Sequence, residues 1–132
     1  MEYKVWSGAV PEVPISTIYE GAKICEEFKP QVLFAIGGGS VMDTTKMVMV
    51  KYEKPEINLM MILPYFGSLG LRKKMKYFVA IPTTSGTGSE VTQAAVITDT
   101  DREPPKKLVV LSDEIYADIT ILFTDFVKDM PP

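Results

Sequence analysis

Residues 34–46 read FAIGGGSVMDTTK: an apolar run, three consecutive glycines, a serine, then a helical pattern. A strand that stops at Gly37-Gly38-Gly39 and enters a helix at Ser40 brings backbone N–H groups to a ligand with no Cβ in the way. The first turn of such a helix carries unpaired donors and the positive end of the dipole. An anion, typically a phosphate, is favoured there. Ser40 and Asp43 stand at capping-box spacing, which predicts a cap at this turn, with Asp43 beside the ligand rather than on it. A tight βα turn that simply requires glycine is the competing reading, because the G-x-G-x-x-G spacing of the common dinucleotide fingerprint is absent.

A second stretch, PTTSGTGSEVT (82–92), also follows an apolar run and offers the hydroxyls of Thr83, Thr84, Thr87 and Ser89. Gly86 and Gly88 let its backbone turn closely. Two such loops at the ends of two parallel strands lie on one edge of a sheet, where open α/β folds bind ligands. One loop then suits a diphosphate and the other a ribose or a nicotinamide amide.

Other chemistries are poorly served. The sequence contains no histidine, so no Ser-His-Asp set exists. Its one cysteine, Cys25, falls on an apolar helical stripe and reads as a buried, inert thiol. A lone cysteine forms no internal disulfide, which points to a reducing, cytoplasmic setting. The net charge of −3 and interspersed signs speak against nucleic acid or an anionic membrane as partner. The longest apolar stretch, INLMMIL (57–63), is far short of the roughly 20 residues that span a bilayer.

The elements that must position the two loops alternate between strand and helix along 132 residues, enough for one core. YKVW (3–6) reads as a short strand and the prolines of AVPEVP as a turn. Ile15, Ile18, Tyr19, Ala22 and Cys25 form the apolar stripe of a helix that Pro30 stops. VLFAI (32–36) and YFVAIP (77–82) read as buried strands, the first covered on both faces. Val41, Thr45, Val48, Met49 and Tyr52 form a second helical stripe. AAVITD (94–99) and KLVVLS (107–112) flank a polar turn as a hairpin, and ITILF (119–123) is a last strand. TDFVKDMPP then reads as the first turn of a helix. INLMMIL with PYFGSLGL is expected to pack on the sheet, a flap over the ligand being the alternative. The many methionines and Trp6 and Tyr3 are expected to fill core space.

AIGGGSVMDTTK, IPTTSGTGSEVT, AVITD and DMPP together resemble the iron-dependent (group III) alcohol dehydrogenases, over nearly all of this chain. The resemblance implies an α/β, Rossmann-like, largely parallel sheet flanked by helices. It implies that residues 1–132 are part of a dinucleotide-binding domain, without the N-terminal section and the C-terminal helical metal domain. The cofactor would be NAD or NADP. Gly38, Gly39 and Ser40 would take the diphosphate, with Asp43 next to it, and Thr83, Thr84 and Thr87 would make further contacts, as would Val96 and Lys107. The family binds iron or zinc through one Asp and three His beyond the DMPP segment, so no catalytic or metal residue is assigned here. An inactive piece of an enzyme acting on a small alcohol or aldehyde, in a homo-oligomer, is the resulting expectation. The closing LSDEIYADITILFTDFVKDMPP is similar to the 4-hydroxybutyrate dehydrogenase branch, and VPEVP stands where relatives carry a Pro-Asn-Pro turn. Two rivals stay open: a dehydroquinate-synthase-like enzyme, which shares the glycine loop, and a non-catalytic nucleotide-binding module.

Overall fold

The computed structural model describes residues 1–62 and 64–131. Helix α1 (Ile15–Phe28) buries Ile18, Ala22 and Cys25, while Ile15 is half-buried and Tyr19 is exposed. Lys29 ends it in the left-handed conformation, its amide donating to the Cys25 carbonyl at 2.7 Å, and Pro30 prevents continuation. Strand β1 (Val32–Gly37) follows, then helix α2 (Gly39–Glu53) and a short helix α3 (Leu59–Ile62). Strands β2 (Tyr65–Phe66), β3 (Tyr77–Pro82), β4 (Ala94–Asp99), β5 (Lys106–Leu111) and β6 (Ile119–Thr120) complete the elements.

They form two sheets. The first is parallel, in the order β1-β3-β6, and the second has the order β2-β5-β4. In the second, β4 and β5 are the expected antiparallel hairpin, from Ala94 opposite Leu111 to Asp99 opposite Lys106. β2 joins β5 in parallel. α2 lies between the sheets and against α1, which changes its character. The stripe expected on one face is there, but Met42, Thr44, Lys46, Met47, Val50 and Glu53 are buried as well. A helix buried nearly all round is a core helix rather than an amphipathic cover. Met42, Met47 and Met49 of this helix and Phe78, Ile97 and Val110 of the strands are almost fully buried, each worth about 1.5–3 kcal/mol of burial.

Several expectations are corrected. YKVW is not a strand: among the described residues no partner strand lies beside it, Tyr3 and Val5 are exposed, and Trp6 instead folds onto Gly21 of α1. β1 is covered on one face only. Ala35 is 1% exposed, whereas Phe34 and Ile36, pointing the other way, are 58% and 56% exposed because no layer packs there. ITILF pairs only at Ile119 and Thr120, plus one bond from the Ile121 amide to the Ala80 carbonyl, before a 3-10 turn at Thr124–Phe126. The 57–71 region packs as expected through Leu59, Leu69 and Leu71, with β2 as an unforeseen element. Leu63 lies outside the described residues, and Met61 and Phe66 are exposed.

Candidate dinucleotide site

β1 and β3 run parallel in a register that sets Gly37 opposite Pro82, so the two loops leave the sheet side by side at one edge. The Thr83 amide donates to the Gly37 carbonyl at 2.9 Å and joins their roots. Contact is close above that. A Cβ added to Gly38 would lie 3.1 Å from Thr84 Oγ1, and one added to Gly39 would lie 3.1 Å from Thr87 Cγ2. Gly37 is confined too, since a Cβ there would come within 2.5 Å of Val41 Cγ2. The three glycines are thus explained by space, not by unusual dihedrals: Gly38 has φ −84° and ψ −169°, open to any residue. Conformational freedom is needed in the other loop, where Gly86 and Gly88 have φ of 109° and 63°.

Gly38 is the N-cap of α2 and Gly39 its first helical residue, which overturns the capping-box expectation. The helix begins two residues earlier than the box requires, so Ser40 sits inside the first turn and no side chain caps it. The first-turn amides of Gly39, Ser40 and Val41 have no carbonyl one turn earlier in the helix to receive them. No acidic residue stands in that first turn to compete with an anion. The arrangement offers what a phosphate needs: convergent amides, a helix N-terminus and a floor free of Cβ atoms.

Asp43 has a different task from the expected cap. Its Oδ1 accepts from Ser89 Oγ at 2.6 Å and its Oδ2 from the Val96 amide at 3.0 Å. It therefore ties the start of α2 to the second loop and to β4 at once. Val96, which is exposed, is brought to the site's edge by that bond. Lys107 is not brought into contact with either loop: its Nζ lies 3.4 Å from Glu12 Oε2, both side chains being exposed. It pairs with Thr98 as Val109 pairs with Val96, so the pleat sets Lys107 on the same hairpin face as Val96, with Lys106 on the other. Glu12 belongs to the VPEVP turn, which the Thr98 amide holds through the Val13 carbonyl at 3.0 Å.

One residue escaped the sequence reading. Lys46 is fully buried, and its Nζ lies within 2.7–3.1 Å of the carbonyl oxygens of Ser89, Thr92 and Ala94 and of Thr92 Oγ1. Burial pushes its pKa below that of a free lysine, while Asp43 and Glu90 act in the opposite direction. A lysine inside DTTKMVMV, with apolar residues on every side of the helix, was the available signal. Among the described residues no three His, Cys, Asp or Glu side chains cluster as a metal site. No helix is long and apolar enough to cross a membrane, again among the described residues.

The description "Iron-containing alcohol dehydrogenase" is that of the family model matching residues 1–124. An NADPH-dependent butanol dehydrogenase of Clostridium saccharobutylicum is 36% identical over 132 residues, which are 100% of this chain and 33% of that protein. An iron-containing alcohol dehydrogenase structure from Thermococcus thioreducens superposes with a TM-score of 0.80 at 34% identity, covering 96% of this chain and 33% of that one. A sulfoacetaldehyde reductase from Bifidobacterium kashiwanohense, solved in complex with NAD+, gives 0.83 at 26% identity, covering 98% and 33%. The chain thus spans about a third of the length of these relatives. By the family match, and by the two loops it explains, the chain belongs to the iron-containing alcohol dehydrogenase family.

Proposed function

We propose that residues 1–132 are the dinucleotide-binding part of an NAD(P)-dependent, metal-dependent alcohol dehydrogenase. Gly38, Gly39 and Ser40 hold the diphosphate through first-turn amides. Thr83, Thr84 and Thr87 contact the ribose or nicotinamide side from the facing loop. Asp43 holds that loop and β4 in place, and Val96 and Lys107 border the site from the hairpin. The single observation that carries this reading is the approach of the glycine turn to Thr84 and Thr87, at distances that leave no space for a Cβ without displacement.

The bound nicotinamide would supply the carbon that accepts or gives the hydride. The chain's own part is to bind and orient the dinucleotide. Its residues do not fit the family's metal: the sequence has no histidine, and the described residues hold no cluster of three ligands. The chain by itself is therefore expected to turn over no alcohol. The substrate class proposed for the whole enzyme is a small primary alcohol or its aldehyde, as the butanol dehydrogenase relative suggests. The exposed apolar residues Phe34 and Ile36 of β1 and Ile121, Leu122 and Phe123 after β6, with β1 at the end of its sheet, support self-association. The buried, unpaired Cys25 suits a reducing, cytoplasmic compartment.

Calorimetric titration with NADH, NADPH and ADP tests the proposal. Saturable binding of ADP and of one or both dinucleotides, at one site per chain, is expected. Absence of binding by all three would remove it. Sedimentation at rising concentration tests self-association, and a monomer throughout would contradict it.

A further inference from the structure

We infer that Lys46 is a positioning residue for the dinucleotide: its buried ammonium fastens the far end of the second loop and so sets the gap between that loop and the helix N-terminus. The inference rests on the dinucleotide reading above and deepens it.

Lys46 has 0% exposure, so its ammonium touches no bound phosphate directly. A buried ammonium is tolerated only when its protons are accepted. Here three N–H groups meet three carbonyls, of Ser89 at 2.7 Å, Thr92 at 3.0 Å and Ala94 at 2.7 Å. The nearest carboxylate oxygen, Asp43 Oδ1, is 4.0 Å away and already accepts from Ser89 Oγ at 2.6 Å. The charge is therefore held mainly by backbone oxygens. All three come from the segment that leads out of the loop and into β4.

The loop is thereby anchored at both ends, the far end also through Asp43, which accepts from Ser89 Oγ at 2.6 Å, and through Thr120, whose Oγ1 donates to the Glu90 carbonyl at 3.0 Å. At its start the Thr83 amide bonds to the Gly37 carbonyl, and at its end Lys46 gathers residues 89–94. Between them the backbone has few ties, among them Val91 N to Gly88 O at 3.0 Å and the long Ser89 N to Thr87 Oγ1 contact at 3.4 Å. Where Thr84 and Thr87 stand above Gly38 and Gly39 is consequently set by these anchors. The second anchor is carried by the same helix whose N-terminus faces the ligand. A rigid helix with Lys46 on its second turn converts a buried hydrogen-bond cluster into a fixed distance between two loops.

The test compares the wild-type chain with Lys46→Met, which keeps the apolar stem and removes the ammonium. Glu53→Gln is the control, because Glu53 lies on the same helix about 10 Å further along the axis and binds the amides of residues 73–75 instead. Amide hydrogen exchange of ligand-free protein and ADP titration are the readouts. Lys46→Met is expected to speed exchange over residues 83–94 tenfold or more, to leave 15–28 and 77–82 unchanged, and to weaken ADP binding at least tenfold. Glu53→Gln is expected to change neither loop exchange nor ADP affinity, even where it lowers Tm as much. Wild-type loop exchange and ADP affinity in folded Lys46→Met would overturn the inference, as would an equal loss of ADP affinity in Glu53→Gln. Should Lys46→Met not fold, Lys46→Gln, which retains an amide donor, is read in the same way. If the wild type itself binds no ADP, the dinucleotide reading falls, and the exchange comparison alone decides whether Lys46 fixes the loop.

Discussion

Replacing Gly38 by alanine separates the space needed by the ligand from the space needed by the fold. The new methyl would lie 3.1 Å from Thr84 Oγ1 and 3.2 Å from Thr84 Cγ2, inside the usual contact distance of about 3.5–4.0 Å. Thr84 is half-buried in a loop and can yield by the few tenths of an ångström required. The backbone adds no strain, because Gly38 has φ −84°. An overpacking cost of about 1 kcal/mol follows, which lowers Tm by about 2–8 °C. The ligand fares worse. A phosphate oxygen accepting from the first-turn amides sits about 2.9 Å from nitrogen, against the face where the methyl would stand. Each charge-assisted bond lost is worth about 1.5–3 kcal/mol, or about 10–150-fold in affinity. The assay pairs thermal unfolding with ADP titration. Gly38→Ala should stay folded, lose a few degrees of Tm and bind ADP at least tenfold more weakly. The double variant Gly38→Ala/Thr84→Ala removes both atoms that the methyl meets and should recover the lost Tm. A folded Gly38→Ala that binds ADP like the wild type would refute the reasoning.

Two further outcomes are expected. Glu114 accepts from the amides of Leu69, Gly70 and Leu71; burial acts to raise its pKa, but these donors outweigh it and hold the carboxyl below its ordinary value. A lowered carboxyl contributes stability that is present above its unfolded pKa and lost as pH falls through the folded one. Unfolding free energy should therefore drop more steeply below about pH 4.5 in the wild type than in Glu114→Gln, and parallel profiles would contradict this. Cys25 is buried, and its pKa is pushed up to about 11, by burial first and then by Glu26. A disulfide reagent at pH 8 should label it only at the rate of unfolding, and rapid labelling of the native chain would count against its inert role.

Much of the fold was legible because its strands and helices carry strong local patterns. The VLFAI and YFVAIP runs, the proline and glycine punctuation and the hairpin around TDREPP all name their own elements. Three things were not. YKVW has strand composition, but a strand exists only with a partner, and none stands beside it among the described residues. VLFAI is apolar throughout, yet composition cannot say whether a second layer will cover it, and Phe34 and Ile36 remain open. The helix after the glycines reads as amphipathic until one sees that it is enclosed by both sheets and α1.

The candidate site followed a similar division. The convergence of the two loops was legible, since parallel neighbouring strands deliver their ends to one edge. The tasks of Asp43 and Lys46 were not, because each depends on atoms about fifty residues away: Ser89 and Val96 for the first, and Ser89, Thr92 and Ala94 for the second. Capping spacing suggested a local partner for Asp43, and the two-residue shift of the helix start removed it.

An amide-resolved NMR titration of the chain with ADP tests the central claim most directly. The amides of Gly38 to Val41 and those of Thr84 to Gly88 should shift together along one saturation curve. Shifts in only one loop, or in neither, would contradict a shared diphosphate site.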